Sequence, residues 1–311
     1  MWSGTSAENY ISQVGLDLET NGGLVWIKQR SAVATHHRLF DSIRGATQLI
    51  SSSNADAQGP NSQTLKSFEK NGFILGTNTA VNDTGDTFVG WCWKGGGDAV
   101  SNSNGTITSQ VSANQDAGFS IVKYTGNGTA GATVGHGLSA KPQFILFKNL
   151  DTTVNWIAYD TINNVIGYLD LTDSLTDGRR SWAVNNTDPT NTLVTLGNNQ
   201  ATNATSNFIM YCWHSVAGYS KIGTYSGSGV SGKEVTLDFN PSFVLIKRIN
   251  ATAGWVIVDD KRGTKELYPH VNNIEDTTTT SIVLGTNKFT LNSTGTWYNA
   301  SGGTYLYMAF K

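Results

Sequence analysis

Short runs of β-branched and aromatic residues alternate along the chain with clusters of glycine, asparagine, aspartate and serine. Each run is four to seven residues long, which is typical of a strand, and the clusters between the runs are typical of tight turns. No stretch keeps the spacing of an amphipathic helix over three turns, and the nearest case, residues 64–73, is interrupted by Asn71-Gly72. The pattern predicts an all-β protein of antiparallel sheets with essentially no helix.

One pattern of strands and turns occurs three times along the chain. An apolar run ends in Lys28, Lys148 and Lys247, and an aspartate closes the next apolar alternation thirteen, twelve and twelve residues later. A Leu-Gly turn and a last apolar strand then follow in each copy. The aspartates are Asp41, Asp160 and Asp259, the turns begin at Leu75, Leu196 and Leu284, and the last strands are 88–93, 208–213 and 305–310. This self-similarity indicates three copies of one unit of about 100 residues.

The repeats divide the chain into domains. Their bounds are 1–94, 117–218 and 219–311, with a Gly/Ser/Asn-rich inserted segment at 95–116. Short strands without crossover helices predict three tandem antiparallel β-sandwiches of the jelly-roll or lectin-like type, with Trp26, Phe147 and Ile246 at equivalent core positions. The alternative is one large unit with internal pseudo-threefold symmetry, and the sequence does not separate the two. Glycines in the turn after each first strand, such as Gly126, indicate backbone with positive φ.

The composition is polar but only weakly charged. Charged residues make up 14% of the 311 residues, and 21 basic against 23 acidic side chains give a net charge of -2. A nucleic-acid-binding role is disfavoured, because such proteins carry a basic surface. No segment approaches the roughly 18 apolar residues of a membrane span, and no secretion leader is expected. Cys92 and Cys212 lie in apolar runs and are predicted to be reduced and buried.

Residues with catalytic or metal-binding potential are sparse. None of the five histidines has zinc-site spacing, and no nucleophile elbow or phosphate-binding loop is present. The repeated aspartates are interpreted as turn caps. Asp259-Asp260 and the stretch 82–86 offer oxygen ligands for calcium, but the latter lacks EF-hand spacing and a bidentate glutamate. The repeated lysines are expected to cover apolar surface with their stems and to keep their ammonium groups in solvent, paired with the aspartates. We predict no enzyme activity, no cofactor and no metal.

Two groups of loop residues are candidate ligand contacts. Arg179, Arg180 and Trp182 form the first group, and Trp297 and Tyr298 form the second. Aromatic faces surrounded by amide and hydroxyl groups are typical of surfaces that bind sugars or protein receptors. The alternative is that these aromatic side chains cap the ends of their own sandwiches.

An ordered set of motifs in the second and first copies resembles a known family. In the second copy the motifs are Tyr124-Thr125-Gly126-Asn127-Gly128, His136-Gly137-Leu138 and the stretches 142–148, 155–160, 211–213 and 216–221. In the first copy they are the stretches 24–30, 39–47 and 91–94. Together they resemble a repeated domain of structural proteins of marine tailed bacteriophages, of the cyanophage type, which are usually described as tail fibres. The resemblance covers nearly the whole chain and brings no catalytic motif.

The resemblance implies a non-enzymatic virion protein, a tail fibre or appendage that contributes to host attachment and is assembled in the host cytoplasm. Its implied partners are other virion proteins of the tail or capsid and a host-surface glycan or protein receptor, with neither nucleic acid nor membrane insertion. Family analogy implies a homo-oligomer, with trimers common among such fibres. Because the first turn follows Met1 almost directly, no N-terminal docking arm is expected. This supports the alternative of a capsid decoration or head-fibre protein that stabilises the shell; a polysaccharide-binding or polysaccharide-degrading protein is a third option.

Overall fold

The computed structural model of the chain describes residues 1–12, 14–31 and 34–311. The described part is all-β with antiparallel strand ladders, which confirms the predicted fold class at this level. Its helices are single turns, and the N-caps Asp17 and Asn78 start two of them by accepting a hydrogen bond from a backbone N–H. The helices are α1 (Leu18–Asn21), α2 (Thr79–Asn82), a 3-10 turn (Asp177–Arg179) and α3 (Arg180–Val184).

Repeat 1 places its strands in a main sheet of order β1-β9-β3-β4 and a second sheet of order β2-β8-β7, with β5 and β6 as a separate pair. The strands are β1 (Trp2–Ser3), β2 (Asn9–Ile11), β3 (Gly23–Gln29), β4 (Arg38–Asp41), β5 (Gln48–Leu49), β6 (Gly59–Pro60), β7 (Leu65–Glu69), β8 (Gly72–Leu75) and β9 (Thr87–Lys94). The repeat lysine is therefore the next-to-last residue of strand β3, and the repeat aspartate is the last residue of its hairpin partner β4.

Repeat 2 has a main sheet of order β10-β11-β12-β18-β14-β15-β16 and a second sheet of β13 and β17. The strands are β10 (Val100–Asn102), β11 (Ser109–Asn114), β12 (Phe119–Thr125), β13 (Thr133–Gly135), β14 (Phe144–Asn149), β15 (Ile157–Asp160), β16 (Val165–Tyr168), β17 (Leu193–Thr195) and β18 (Asn207–Trp213). The inserted segment 95–116 supplies β10 and β11, which extend the main sheet beyond β12.

Repeat 3 has a main sheet of order β19-β26-β21-β22-β23 and a second sheet of order β20-β25-β24. The strands are β19 (Ser220–Ser226), β20 (Lys233–Thr236), β21 (Phe243–Arg248), β22 (Trp255–Asp259), β23 (Gly263–Leu267), β24 (Ile282–Gly285), β25 (Lys288–Leu291) and β26 (Thr304–Phe310). All three main sheets thus contain the same order of first strand, last strand, lysine strand and aspartate strand.

The two faces of each main sheet contact different cores. In β3, Val25 and Ile27 pack into the core of repeat 1, whereas Leu24 and Trp26 pack into a second core that contains side chains from all three repeats. The same alternation occurs in β14 and β21, where Phe144 and Phe243 join the shared core. Because both faces are covered, these strands are apolar over nearly their whole length. The shared core joins the three repeats into one unit.

The predicted equivalence of Trp26, Phe147 and Ile246 is wrong. Trp26 faces the shared core, but Phe147 and Ile246 face the cores of their own repeats. The residue equivalent to Trp26 is Leu146, which also lies two positions before its repeat lysine and also faces the shared core. A shift of one residue along a strand moves a side chain to the opposite face. The predicted set is offset by one residue, so it combines a side chain of the shared core with two side chains of the repeat cores.

The predicted equivalence of Leu284-Gly285 with the other two Leu-Gly turns is also wrong. In repeat 1 the strand that ends at Leu75 pairs with β2, and the strand of repeat 3 that pairs with the equivalent β20 is β25. Leu284-Gly285 instead lies at the end of β24, one strand earlier. A Cβ on Gly76 would lie 2.7 Å from backbone atoms of residue 63, whereas Gly285 has no neighbour closer than 3.7 Å. The close backbone approach that requires glycine at Gly76 is therefore absent at Gly285.

Candidate functional site

The repeated lysines bind across the junctions between repeats. Each side chain is fully buried, and each ammonium group donates to a backbone carbonyl of its own repeat, two in the case of Lys28, and to one of the neighbouring repeat. For Lys28, Lys148 and Lys247 the neighbouring acceptors are the carbonyl oxygens of Asn272, Ala55 and Thr172, at 3.3, 3.0 and 3.1 Å. Repeat 1 thus contacts repeat 3, repeat 2 contacts repeat 1, and repeat 3 contacts repeat 2. The contacts form a closed cycle.

Backbone hydrogen bonds repeat the same cycle. The residue two positions after each lysine accepts, through its carbonyl oxygen, a hydrogen bond from a backbone N–H of the neighbouring repeat. The pairs are Gln58 to Leu150 at 2.9 Å, Leu175 to Ile249 at 3.0 Å and Glu275 to Arg30 at 3.0 Å. At the junction of repeats 3 and 1, Arg30 also pairs with the Glu275 carboxylate at 2.8 Å. Equivalent residues of the three repeats thus make equivalent contacts, so the repeats have a pseudo-threefold arrangement.

The environment of the lysines contradicts the expectation from sequence. Their ammonium groups are buried rather than in solvent, and no carboxylate of the described residues lies within ion-pair distance of them. Burial lowers the pKa of Lys28 and of Lys148 to about 8, and that of Lys247 to about 7. Hydrogen bonds to carbonyl oxygens, and not ion pairs with the repeat aspartates, hold these side chains.

Raising the pH from about 7 to about 9 should stabilise the folded chain. In this range the unfolded chain keeps its lysines protonated while the folded chain releases protons from the three buried lysines, so unfolding takes up protons and becomes less favourable. Each such lysine adds up to about 1.4 kcal/mol per pH unit. Urea unfolding at several pH values measures the slope. Lys247→Met should reduce it and Lys261→Met, at an exposed lysine, should not; equal slopes in both variants would contradict the assignment.

The repeat aspartates cap the turns that follow them, as predicted. One oxygen of each carboxylate accepts a hydrogen bond from the backbone N–H three residues later, at 2.9 Å in repeat 1, 3.2 Å in repeat 2 and 3.0 Å in repeat 3. The aspartates are Asp41, Asp160 and Asp259, and the donors are Arg44, Asn163 and Arg262. This confirms the turn-cap interpretation and gives these carboxylates a structural role.

The second oxygen of two of these carboxylates also binds the next repeat in the cycle. Asp41 pairs with the buried guanidinium of Arg44 and accepts a hydrogen bond from the Tyr211 hydroxyl at 2.7 Å. Asp259 pairs with Arg262 at 2.6 Å and accepts a hydrogen bond from the Trp91 indole at 3.0 Å.

The third junction differs. Asp160 has the Asn163 amide in place of an arginine, and the strand register places Met308 where the others have an aromatic donor. Burial raises the pKa of the Asp160 carboxyl above its ordinary value.

Three buried asparagines, which the sequence reading missed, hold the turn after each first strand. Each accepts a hydrogen bond from one backbone N–H of that turn and donates to the carbonyl oxygen two residues later. The asparagines are Asn82, Asn203 and Asn299, and the turn residues are Thr5 and Ala7, Asn127 and Thr129, and Ser228 and Val230. The sequence signal was an asparagine at a similar place in each copy.

The first glycine of each of these turns is required by close packing rather than by positive φ. A Cβ on Gly4, Gly126 or Gly227 would lie 2.0, 2.2 or 2.1 Å from a backbone oxygen of the residue after the buried asparagine. None of the three has positive φ, which corrects the interpretation made from sequence for Gly126. Gly128 and Gly229, two residues further on, do have positive φ.

The first predicted ligand group is partly engaged within its own repeat. The Arg179 guanidinium lies 4.7 Å from the centre of the Tyr168 ring, donates to the Ser174 carbonyl at 2.9 Å and pairs with Asp173 at 3.2 Å. Arg180 pairs with Asp188. Trp182 is half-buried, with part of its ring packed against the core of repeat 2. Trp182 lies on α3 and stays partly exposed, while both arginines already have partners.

The second predicted group lies in repeat 3. Trp297 is half-buried and meets His270 and Tyr268 edge-to-face, with ring centres 5.7 and 5.5 Å apart. Tyr298 is buried and donates its hydroxyl proton to the carboxylate of Glu266. Burial raises the pKa of Glu266. No hydrogen bond or ring contact within the described part of the chain joins this group to the first, so the two are separate surface features.

A cleft of about 200 Å³ opens where repeat 3 meets repeat 1. Trp91, Trp93 and Phe243 line it, together with the charged residues Asp260 and Lys261. The aromatic side chains expose only 7–8% of their surface. The cleft is smaller than the roughly 300–1,000 Å³ of typical small-molecule sites, so it suits a side chain better than a whole ligand.

Groups suited to covalent or metal chemistry are few in the residues that the structure describes. Both cysteines are free thiols, and burial raises the pKa of Cys92 to about 12 and that of Cys212 still further. No group of three or more His, Cys, Asp or Glu side chains among the described residues is arranged to hold a metal ion. The same residues include no helix long and apolar enough to cross a bilayer.

Comparison with other proteins identifies the chain at the family level. Neither curated proteins nor solved structures give a significant match. One family model matches residues 1–311 and therefore spans all three repeats. The chain belongs to the family described as a domain of unknown function, DUF7483.

Proposed function

We propose that this protein is a non-enzymatic structural component of a bacteriophage virion, a tail fibre or appendage module that contributes to host attachment. The observation that carries the proposal is the closed cycle of three repeats. The repeated lysines and asparagines and the Asp41 and Asp259 carboxylates are engaged in holding turns and junctions. Repeated polar residues with purely structural partners support a scaffold, and the resemblance to phage structural proteins supports a virion context.

The attachment role rests on loops that the rigid cycle displays. Trp182, on the one-turn helix α3, and Trp297, in a turn of repeat 3, both stay partly exposed. A single aromatic edge binds weakly, but several copies of the protein on one particle would bind a host glycan or protein receptor with useful avidity. The proposed ligand is therefore a repetitive host-surface glycan or receptor, and the proposed neighbours are other virion proteins.

A second candidate function is capsid decoration. The pseudo-threefold arrangement of equivalent contacts favours it, because a protein with this symmetry matches the threefold positions of an icosahedral shell. In this role the cycle would bind the outside of the head and stabilise it, without a host receptor.

Immunogold electron microscopy of phage particles, with antibody raised against this chain, tests the proposal. Gold at tail appendages is the expected result. Gold over the head would favour decoration, and absence of gold from the particle would contradict both virion roles and favour a free polysaccharide-binding protein.

Host-cell binding by the purified protein provides a second readout. Trp182→Ala should weaken binding about tenfold, while Ser181→Ala, at an exposed neighbour, should leave it unchanged. Equal binding by the two variants would remove Trp182 from the proposed contact surface.

A further inference from the structure

Within the described residues, the main sheets end in six edge strands. β1 has only two residues, and β4, β16 and β23 each form a bridge to a loop residue; the other two edge strands are β10 and β19, with a loop bridge only at Ser220 of β19. β10 pairs only with β11, and β19 pairs only with β26. The strand of repeat 2 equivalent to β19 is β12, and its corresponding edge is covered by β11 over six residue pairs. The chain itself therefore shows that the edge of a first strand accepts an antiparallel strand. Repeat 3 leaves this edge open.

The outward backbone groups of β19 can be assigned from the hydrogen bonds around it. In an antiparallel ladder, alternate residues bond to opposite neighbours. Gly227 N–H bonds to Gly303 on the β26 side at 2.7 Å, whereas Ile222 N–H points the other way, to the Ser215 hydroxyl at 2.9 Å. Thr224 lies two residues after Ile222 and directs its backbone groups to the same side, so its N–H and C=O face outward. Its side chain is exposed, and the described residues provide no partner for these groups.

The same reasoning assigns the outward residue of β10. Gly126 N–H bonds to Ser206 on the β18 side of β12, so the odd-numbered residues of β12 bond to β11. Lys123 opposite Gln110 is then a bonded pair of β12 and β11, and Val100 opposite Val111 is a bonded pair of β10 and β11. Ser101 therefore directs its N–H and C=O outward, and its side chain is exposed.

Apart from the shortness of β10, which has three residues, neither edge carries the features that normally prevent edge pairing. Natural edge strands are protected by proline, bulges or charged side chains. β10 contains valine, serine and asparagine, and the open part of β19 contains no charge; the ammonium group of Lys221 turns away to the Thr236 carbonyl at 3.3 Å. The two most exposed large aliphatic side chains of the described residues flank these edges, Val100 on β10 at 63% and Val230 in the turn after β19 at 66%.

We infer that copies of this chain associate head to tail by strand addition, with β10 of one copy pairing antiparallel with β19 of the next. A single molecule carries one edge of each kind on different repeats, so each copy satisfies the open edge of another. Such a contact is heterologous and leaves a free edge at each end, so assemblies grow beyond the dimer unless they close into a ring. The contact involves only a few residues of each strand, so the association is weak and concentration-dependent.

Sedimentation velocity over a concentration series tests the inference with two matched variants. Ser101→Pro removes the outward N–H of β10, and Thr224→Pro removes that of β19, while both leave the N–H groups of the internal ladders in place. The wild type should form species larger than dimers as concentration rises. Each variant alone should remain monomeric, because it keeps only one edge that can pair. An equimolar mixture should form a heterodimer that does not grow, because Ser101→Pro keeps β19 and Thr224→Pro keeps β10.

Other outcomes would overturn the inference. A wild type that stays monomeric up to about 1 mM would exclude an association of useful strength. Dimers of Ser101→Pro alone would show that β19 pairs with itself, and association of both variants at wild-type strength would place the contact elsewhere. If a proline variant melts at a lower temperature than the wild type, Ser101→Lys and Thr224→Lys replace the pair, with Thr252→Lys at an exposed loop position as the control.

Discussion

The Asp41→Asn variant is expected to lose about 3–5 kcal/mol of unfolding free energy, whereas Asp160→Asn is expected to lose less than about 1 kcal/mol. The Arg44 side chain is fully buried, and Asp41 is its only carboxylate partner among the described residues. An asparagine keeps the acceptor for the turn but removes the negative charge, which leaves Arg44 as an uncompensated charge in the core. The same change therefore has its largest effect where an arginine is present.

Asp160 is the matched control for this prediction because it has the same turn-capping role without the arginine. Its second oxygen contacts the Asn163 amide, and burial already raises its pKa, so a neutral side chain relieves a desolvation cost there. Urea unfolding at neutral pH measures both variants. Arg44→Met in the Asp41→Asn background should recover part of the loss, since it removes the unpaired charge. Equal losses at Asp41 and Asp160 would instead assign the effect to the turn cap.

The strands and their threefold recurrence were predictable because they depend on local pattern. Apolar runs bounded by turn residues predict strands directly, and an aspartate at the end of a hairpin strand indicates a turn cap in any copy. The sequence also carries a signal for the shared core. Runs such as 144–147 are apolar at consecutive positions, which is typical of strands buried on both faces. A sandwich with one solvated face would alternate.

The environment of the repeated polar residues could not be predicted from one chain position at a time. Lys148 ends an apolar run in the same way whether its ammonium group reaches solvent or the Ala55 carbonyl of another repeat. The choice depends on contacts between residues about ninety positions apart, which local pattern does not encode. The buried asparagines were within reach, because Asn82 and Asn203 each lie six residues after a Leu-Gly glycine. Asn299 lacks this signal, because Leu291 of repeat 3, the equivalent of Leu75, is followed by Asn292 and not by glycine.

The contacts of the predicted ligand residues show that some of them are more available to bind a ligand than others. The charge on Arg179 is already engaged by Asp173, and the hydroxyl of Tyr298 is committed to Glu266, so neither offers a free polar group. Trp182 and Trp297 retain partial exposure, but each also packs on its own repeat. Each tryptophan therefore caps its own repeat with one part of its ring and leaves another part available for a ligand. Host-cell binding by the Trp182→Ala variant tests whether the exposed part of Trp182 contacts a ligand.

Removing the third repeat should abolish cooperative folding of the rest. A chain of residues 1–218 would lack the side chains of repeat 3 in the shared core and would expose Trp91 and Trp93, which pack against Phe243. It would also lose the partners of Lys28 and Arg30 across the junction. The isolated fragment 219–311 would expose the other side of the same core. Neither fragment should show a sharp thermal transition, because each loses one whole face of buried apolar surface.

A circular permutant is the matched control for this truncation. Met1 and Lys311 line the same cleft, so a short flexible linker can join them, and a permutant that begins at residue 219 breaks the chain at the same place but keeps all three junctions. The permutant should melt in a single transition near that of the intact chain, and an equimolar mixture of the two fragments should recover this transition. Three independent sandwiches would behave differently: fragment 219–311 would melt cooperatively on its own, at the same temperature with or without the remainder of the chain. Differential scanning calorimetry of the two fragments, their mixture and the permutant therefore decides whether the cycle of repeats is one folding unit.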